Sequence, residues 1–171
     1  SKPPKLQLSA TDMNDLLDQT ITFSLKHPSL SSNSSREIKI LKNFDDTIPE
    51  TMADPMQLKQ VFLNLAFNAI EAMPDGGRLR VKTIYGKNTE TVKIEFSDTG
   101  EGINKRMIDD VFKPFFTTKL KGTGFGLSIS RRIIEEHGGT ISVASNSGIG
   151  TTFSVSLPLI TAIDFYQSTE S

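Results

Sequence analysis

The sequence of 171 residues contains no cysteine, which excludes disulfides, thiol nucleophiles and cysteine-ligated metal sites. It also lacks any apolar run approaching the roughly 18 residues that a membrane-spanning helix needs. An excess of one charge is missing too, since 19 Lys and Arg face 20 Asp and Glu. There is therefore no electrostatic argument for binding nucleic acid or an anionic membrane surface. The length suffices for one domain with a full hydrophobic core.

Apolar periodicity and turn residues predict alternating helices and strands along the chain. In order, the predicted elements are a helix from Thr11, a strand at Ile38 and Ile40, a helix from Asp54 through Met73, strands RLRVKTIY and TVKIEFSD, a short helix Lys105 to Phe112, a helix Leu127 to His137, and strands TISVAS and TTFSVSLP. Helices interleaved with mostly hairpin-joined strands favour a two-layer α/β sandwich, with a mixed sheet of about five strands and about three helices on one face.

The helix beginning after Asp54 has clear start signals and an unusual polar stripe. Asp54 is the predicted N-cap, Pro55 lies in the first turn, and Gln57 is the predicted capping-box partner. At about 100° per residue, one narrow line collects Gln57, Gln60, Asn64, Asn68 and Glu71, with apolar residues on both sides. An ordinary solvent face is one interpretation. Because asparagine is a poor helix former, a cavity wall that needs uncharged oxygen ligands, suited to Mg²⁺, is the other.

Asp98 ends an alternating strand and is followed by Gly100 and Gly102 in the stretch SDTGEGI. The residue could simply cap a turn. A carboxylate beside a glycine loop can also accept a hydrogen bond from the exocyclic amino group of a base, while the glycines allow a flat ring to approach the backbone.

Three glycines, Gly122, Gly124 and Gly126, precede the helix that begins at Leu127. The N-terminus of a helix offers unpaired N–H groups and a positive dipole end, so glycines there leave room for a phosphate. The stretch is neither a Walker A loop nor a Rossmann fingerprint. A glycine hinge for a mobile flap is a further interpretation, and the preceding FKPFFTTKLK supplies aromatics that could dock a lid and lysines that could reach phosphate.

The ordered motifs NLAFNAIEAM, DTGEGI, FKPFFTTK, GTGFGLSIS and GIGTTF resemble the ATP-binding catalytic domain of bacterial sensor histidine kinases, most like nitrogen-regulation-type kinases whose lid carries PFFTTK. The resemblance covers roughly residues 6–158. It implies the Bergerat ATP-binding fold shared with gyrase, heat-shock chaperone and mismatch-repair ATPases. Residues 1–5 would be a linker stub from a preceding helical domain, and residues 159–171 a flexible C-terminal tail.

The resemblance implies a role for each matching residue. Asn68 would be the Mg²⁺ ligand, supported by Asn64, and Asp98 would accept from the adenine amino group. The implied catalytic residues are Asn64, Asn68 and Lys119. The implied nucleotide-binding residues are Asn64, Asn68, Glu71, Asp98, Gly100, Gly102, Ile103, Phe112, Thr117, Thr118, Lys119, Gly122, Thr123, Gly124, Phe125, Gly126, Leu127 and Thr151, with Thr151 acting through Asp98 and water.

Two positions bear on how the chain would handle phosphate, and only the first departs from the kinase pattern. Many kinases of this family carry lysine where Glu71 stands, so phosphate charge would be met by the metal and by lid lysines such as Lys119. Hydrolysing relatives carry a glutamate at the position of Asn64, and asparagine cannot serve as a general base. The resemblance therefore implies phosphate transfer rather than efficient hydrolysis.

A phosphate acceptor is not evident in the sequence. Neither His27 in LKHPSL nor His137 in EEHGGT matches the family's acceptor pattern, and His137 is better interpreted as a helix C-terminal residue before a Gly138–Gly139 cap. The resemblance thus implies a cytoplasmic, monomeric catalytic domain of a kinase that can be membrane-anchored. Its implied partners are the dimerisation and phospho-acceptor domain of the same kinase and a response regulator. A nucleotide-binding signalling module without transfer, and a gyrase-type ATPase, are the alternatives.

Overall fold

The computed structural model describes residues 5–26, 37–116 and 126–170. Its main sheet has five strands, which are β2 (Ile38–Asn43), β4 (Gly77–Gly86), β5 (Thr91–Asp98), β6 (Thr140–Asn146) and β7 (Gly150–Pro158). Their spatial order is β2-β4-β5-β7-β6. Strand β2 pairs with β4 in parallel, and the other pairs are antiparallel. The predicted mixed sheet of five strands is confirmed.

Three helices pack against this sheet and build one core. They are α1 (Met13–Ser24), α2 (Pro55–Glu71) and α3 (Gly126–Glu136). The central helix α2 contributes more residues to the core than α1 or α3 does, and its Phe62 ring stacks on Phe96 of β5 at a centroid distance of 6.1 Å. Fully burying one such side chain contributes about 1.5–3 kcal/mol. The helix that carries the two asparagines is thus fixed by the core beneath it.

Asp54 caps α2 as predicted, but the capping box is wrong. The Asp54 Oδ1 atom accepts from the Gln57 N–H at 3.1 Å, and the Asp54 carbonyl accepts from Leu58. In a capping box the Gln57 side chain would take the Asp54 N–H. That N–H instead donates to Nε2 of His137 at 3.0 Å. A partner distant in sequence has replaced the local one.

The predicted C-cap of α3 is confirmed. Gly138 has φ of 78°, the Gly139 N–H donates to the Ile134 carbonyl at 2.9 Å, and the Gly138 N–H donates to the Glu135 carbonyl at 2.9 Å. These are the two hydrogen bonds of a Schellman motif. His137 is accordingly a helix-terminal residue, as the sequence predicted.

Three elements differ from the prediction. The expected helix from Lys105 to Phe112 is only a 3-10 turn over Ile108–Asp110. Strands β1 (Ser9–Thr11) and β3 (Thr51–Ala53) form an additional two-stranded antiparallel sheet. The segment after Pro158 contains an unpredicted helix, α4 (Ala162–Thr169), and its Ile160 carbonyl accepts from the Met52 N–H of β3 at 2.7 Å.

Candidate functional site

Asn64 lies against the first residue of α3. Its Nδ2 atom donates to the buried Ser130 Oγ at 3.2 Å. A Cβ added to Gly126 would lie 2.5 Å from Asn64 Oδ1, closer than real Cβ contacts occur. Only glycine therefore lets the N-terminus of α3 approach the asparagine this closely. The contact places a helix N-terminus, whose N–H groups can bind an anion, beside an amide side chain, whose oxygen can bind a hard cation.

Asn68 follows on α2 four residues after Asn64, and Glu71 follows three residues after Asn68. Asn68 is half-buried and Glu71, the last residue of the helix, is exposed. Positions i and i+4 of a helix share a face, so Asn64 and Asn68 lie one turn apart on the same side. The half-burial of both asparagines fits a cavity wall better than an open solvent face.

The end of α2 is joined directly to the glycine loop after β5. The Glu101 N–H donates to the Ala72 carbonyl at 3.1 Å. Gly100 is buried and so close to Ala72 that an added Cβ would overlap its carbonyl oxygen. The asparagine helix and the loop that follows Asp98 are therefore neighbours, as one nucleotide site would require.

Asp98 lies at the end of β5, opposite Thr151 of β7. Its Oδ1 atom accepts from the Gly100 N–H at 2.9 Å and from the Thr151 N–H at 3.3 Å. The turn-capping interpretation is thus correct for this oxygen. It does not exclude the base-reading one, since the carboxylate has a second oxygen.

The rest of the loop is anchored to the β6–β7 hairpin. Gly102 has φ of 74° and packs on the Asn146 backbone. The Ile103 N–H donates to Ser145 Oγ at 2.7 Å, and that hydroxyl donates to the Gly150 carbonyl at 3.0 Å. Because Ser145 has only one proton, the 2.8 Å contact between the two hydroxyls makes Thr151 the donor. Thr151 therefore reaches Asp98 through its backbone N–H, while its hydroxyl is held by Ser145.

Phe112 and Leu127 flank the site from the core side. The Phe112 ring packs edge-to-face on Phe153 of β7 at 6.2 Å, and the Arg131 guanidinium lies 5.8 Å from its centroid. Leu127 is half-buried and packs against the core. Both residues fix the two chain segments that lead into and out of residues 117–125.

Seven predicted site residues lie outside the described part of the chain. They are Thr117, Thr118, Lys119, Gly122, Thr123, Gly124 and Phe125. The remaining predicted residues lie on α2, at the end of β5 and in the loop after it, at Phe112, at the N-terminus of α3 and at the start of β7.

Two residues that bond directly to the site, Ser130 and Ser145, were not predicted from the sequence. Ser130 lies one turn after Gly126, so it shares the helix face that meets Asn64. Helical spacing could have indicated that one. Ser145 is recognisable only from the pairing of β6 with β7.

Within residues 5–26, 37–116 and 126–170, no group of three or more His, Asp or Glu side chains could hold a metal ion. A divalent cation at the site would therefore rely on amide oxygens and on its other ligands. Over the same ranges, no helix combines the length and the apolar character required to cross a bilayer.

Comparison with known proteins identifies the family. Residues 53–161 match the family of histidine kinase-, DNA gyrase B- and HSP90-like ATPases. The sensor histidine kinase ZraS of Escherichia coli K12 is 45% identical over 92% of this chain, and sporulation kinase E of Bacillus subtilis is 38% identical over 93%. The chain covers only 32% and 21% of those relatives, respectively.

Solved structures agree with this assignment. The catalytic domain of histidine kinase ThkA has a TM-score of 0.76 and 30% identity, covering 91% of this chain and 97% of that domain. Full-length ShkA in complex with AMPPNP has a TM-score of 0.80 and 27% identity, covering 95% of this chain and 33% of ShkA. The predicted fold class is confirmed. The chain therefore belongs to the histidine kinase-, DNA gyrase B- and HSP90-like ATPase family, and it is an ATP-binding catalytic domain of the kind found in sensor histidine kinases.

Proposed function

We propose that this chain binds Mg–ATP and delivers the γ-phosphate to a histidine on a separate dimerisation domain, for relay to a response regulator. The observation that supports this most is the contact of Asn64 with the Gly126 end of α3. It places an amide side chain beside a helix N-terminus, where phosphate oxygens and a hard cation can be bound together.

The described residues fit a magnesium-bound triphosphate. Asn68 would supply an oxygen ligand, with Asn64 beside it, and the bound metal would neutralise phosphate charge during in-line transfer. Lys119 and the three glycines of the GTGFG segment would contribute from residues that lie outside the described part. The PFFTTK sequence supports a lid of the nitrogen-regulation type.

Asp98 would select the base. Adenine carries an exocyclic amino group, which a carboxylate oxygen accepts, whereas guanine carries a carbonyl oxygen at the equivalent position. The loop from Gly100 to Ile103 is tied by backbone bonds to Ala72, Ser145 and the β6–β7 turn. A loop held on three sides is preorganised, so little ordering entropy is lost on binding.

Asn64 favours transfer over hydrolysis. An amide cannot remove a proton from water at neutral pH, so the site lacks the general base that a hydrolysing ATPase needs at this position. Because Glu71 supplies no positive charge, the strength of phosphate binding would still depend on the metal and on lid lysines.

Calorimetric titration with a non-hydrolysable ATP analogue, with and without Mg²⁺, tests the first half of the proposal. We expect saturable binding that Mg²⁺ strengthens and that a GTP analogue does not reproduce. A helical acceptor domain supplied in trans then tests transfer. Labelled phosphate on its histidine supports the kinase; binding without transfer indicates a signalling module, and free phosphate without acceptor indicates an ATPase. No binding at millimolar nucleotide would contradict the proposal as a whole.

A further inference from the structure

Helices α2 and α3 form an antiparallel pair that is joined at two places. At one place, Asn64 contacts Gly126 and donates to Ser130. At the other, the N-cap of α2 meets the C-terminus of α3, where the Asp54 N–H donates to His137. Asn64 is ten residues after Asp54, and Gly126 is eleven residues before His137. With a rise of about 1.5 Å per residue, the two contacts are about 15 Å apart along the pair.

The His137 ring can make the second contact in only one protonation state. Nδ1 lies 2.8 Å from the Ile133 carbonyl, which can only accept, so Nδ1 carries a proton. Nε2 lies 3.0 Å from the Asp54 N–H, which can only donate, so Nε2 carries a lone pair. The ring is therefore neutral imidazole with its proton on Nδ1.

The Asp54 N–H depends on this acceptor. Asp54 is 5% exposed, and its carboxylate is engaged by the N–H groups of Gln57 and Gln7, the latter at 2.9 Å. A buried donor left without an acceptor loses its hydrogen bonds to water and gains none in return, which is unfavourable. A slide of α3 along α2 would separate Nε2 from Asp54, so the bond resists that movement.

We propose that His137 is a positioning residue that sets the axial register of α3 against α2, and thereby holds Gly126 opposite Asn64. The proposal rests on the proposed nucleotide site. Neither His137 nor Asp54 is among the residues proposed to contact the nucleotide. The bond acts through the helix pair, since a sub-ångström slide at His137 is carried along a rigid helix to Gly126.

Two substitutions of similar size separate this role from simple helix capping. In His137→Gln the side-chain oxygen reaches the position of Nε2 and can accept from Asp54. In His137→Asn the shorter amide reaches only the position of Nδ1, which retains the bond to Ile133 and loses the one to Asp54. Both variants are uncharged, and each retains a different one of the two bonds, so the comparison separates the effect of the Asp54 bond from that of the Ile133 bond.

Affinity for a non-hydrolysable Mg–ATP analogue is measured by calorimetry for the three proteins. We expect His137→Gln to remain within about twofold of the wild type, and His137→Asn to bind about five- to tenfold more weakly. In nuclear magnetic resonance spectra, the Gly126 amide should shift in the Asn variant and not in the Gln variant. Equal affinities of the two variants would overturn the proposal. This holds even if His137→Asn has a lower melting temperature than His137→Gln.

The wild-type protein provides a check that does not depend on folding of either variant. The ¹⁵N shifts of its imidazole should report the Nδ1–H tautomer, and the Nε2–H tautomer would overturn the proposal. Wild-type protein that binds no nucleotide would instead refute the proposed function.

Discussion

Replacing Asp98 with asparagine should separate base recognition from loop structure. Both described backbone bonds to this side chain, from Gly100 at 2.9 Å and Thr151 at 3.3 Å, end on Oδ1. An asparagine carbonyl oxygen can occupy that position and accept both bonds. The substitution then replaces Oδ2, a charged acceptor, with an amide NH₂, a donor. The loop is expected to keep its conformation while the group offered to the base is inverted.

The structure allows the loss of stability and the loss of nucleotide affinity to be estimated separately. Exchanging charge-assisted bonds for neutral ones costs about 1 kcal/mol of stability, which lowers the melting temperature by about 2–4 °C in a domain of this length. The base loses a hydrogen bond to a charged group, worth about 1.5–3 kcal/mol. We therefore expect Asp98→Asn to weaken ATP binding about 10- to 150-fold. A GTP analogue should lose less, because an amide NH₂ can donate to the guanine carbonyl.

Calorimetry with ATP and GTP analogues, together with thermal unfolding, measures both consequences. Asp98→Ala is the matched control, since it removes the Oδ1 bonds as well and should lower the melting temperature further. If Asp98→Asn binds the ATP analogue within twofold of the wild type while its fold is retained, the carboxylate does not read the base. The turn-capping role would then be its whole function.

Three further substitutions test the metal site, the glycine contact and the acid stability of the fold. Asn68→Ala should abolish the strengthening of nucleotide binding by Mg²⁺, and a titration that shows the same enhancement as the wild type would contradict its role as ligand. Gly126→Ala places a Cβ 2.5 Å from Asn64 Oδ1, so we expect at least tenfold weaker nucleotide binding and a stability loss of about 1 kcal/mol. In an Asn64→Ala background the same change should cost little stability; equal costs in both backgrounds would show that the two residues are not coupled. Hydrogen bonds from the Thr47 hydroxyl, and from backbone N–H groups, lower the pKa of Asp45 from 3.8, so its contribution to stability is present above that value and is lost as the pH falls through the lower folded-state pKa. The stability of Asp45→Asn, measured by urea unfolding, should accordingly fall less steeply than that of the wild type as the pH is lowered below about 5, and an equally steep fall would refute the assignment.

The sequence predicted the elements that carry strong local signals. Helix α2 was found from its proline and N-cap, and the β4–β5 hairpin from its alternation. Strands β1 and β3 were missed because three residues give no measurable period. Helix α4 was missed because it is only eight residues long and lies beyond the last strand, although Thr161 caps it through the Asp164 N–H at 3.1 Å. Short elements depend on tertiary contacts that no local window contains.

The sequence indicated residues of the candidate site, but not the hydrogen bonds that hold them in place. Motif order placed Asn64, Asp98 and Gly126 in one site, and the structure brings the elements that carry them together. The partners Ser130 and Ser145 and the Asp54–His137 bond were not foreseen. Each joins positions that are 42 or more residues apart, for which a single sequence offers no pairing signal.

The Asn64–Ser130 bond gives position 64 a chemical role that the sequence alone does not define. Because Nδ2 donates to Ser130, the orientation of the amide is set and Oδ1 is turned towards the N-terminus of α3. An oxygen in this position can accept a hydrogen bond or contact a cation, but it cannot take a proton from water. A glutamate here would add a base beside the phosphate site and allow hydrolysis. Under the proposed function, asparagine held by serine would keep the nucleotide intact until an acceptor arrives, as a kinase that phosphorylates another domain requires.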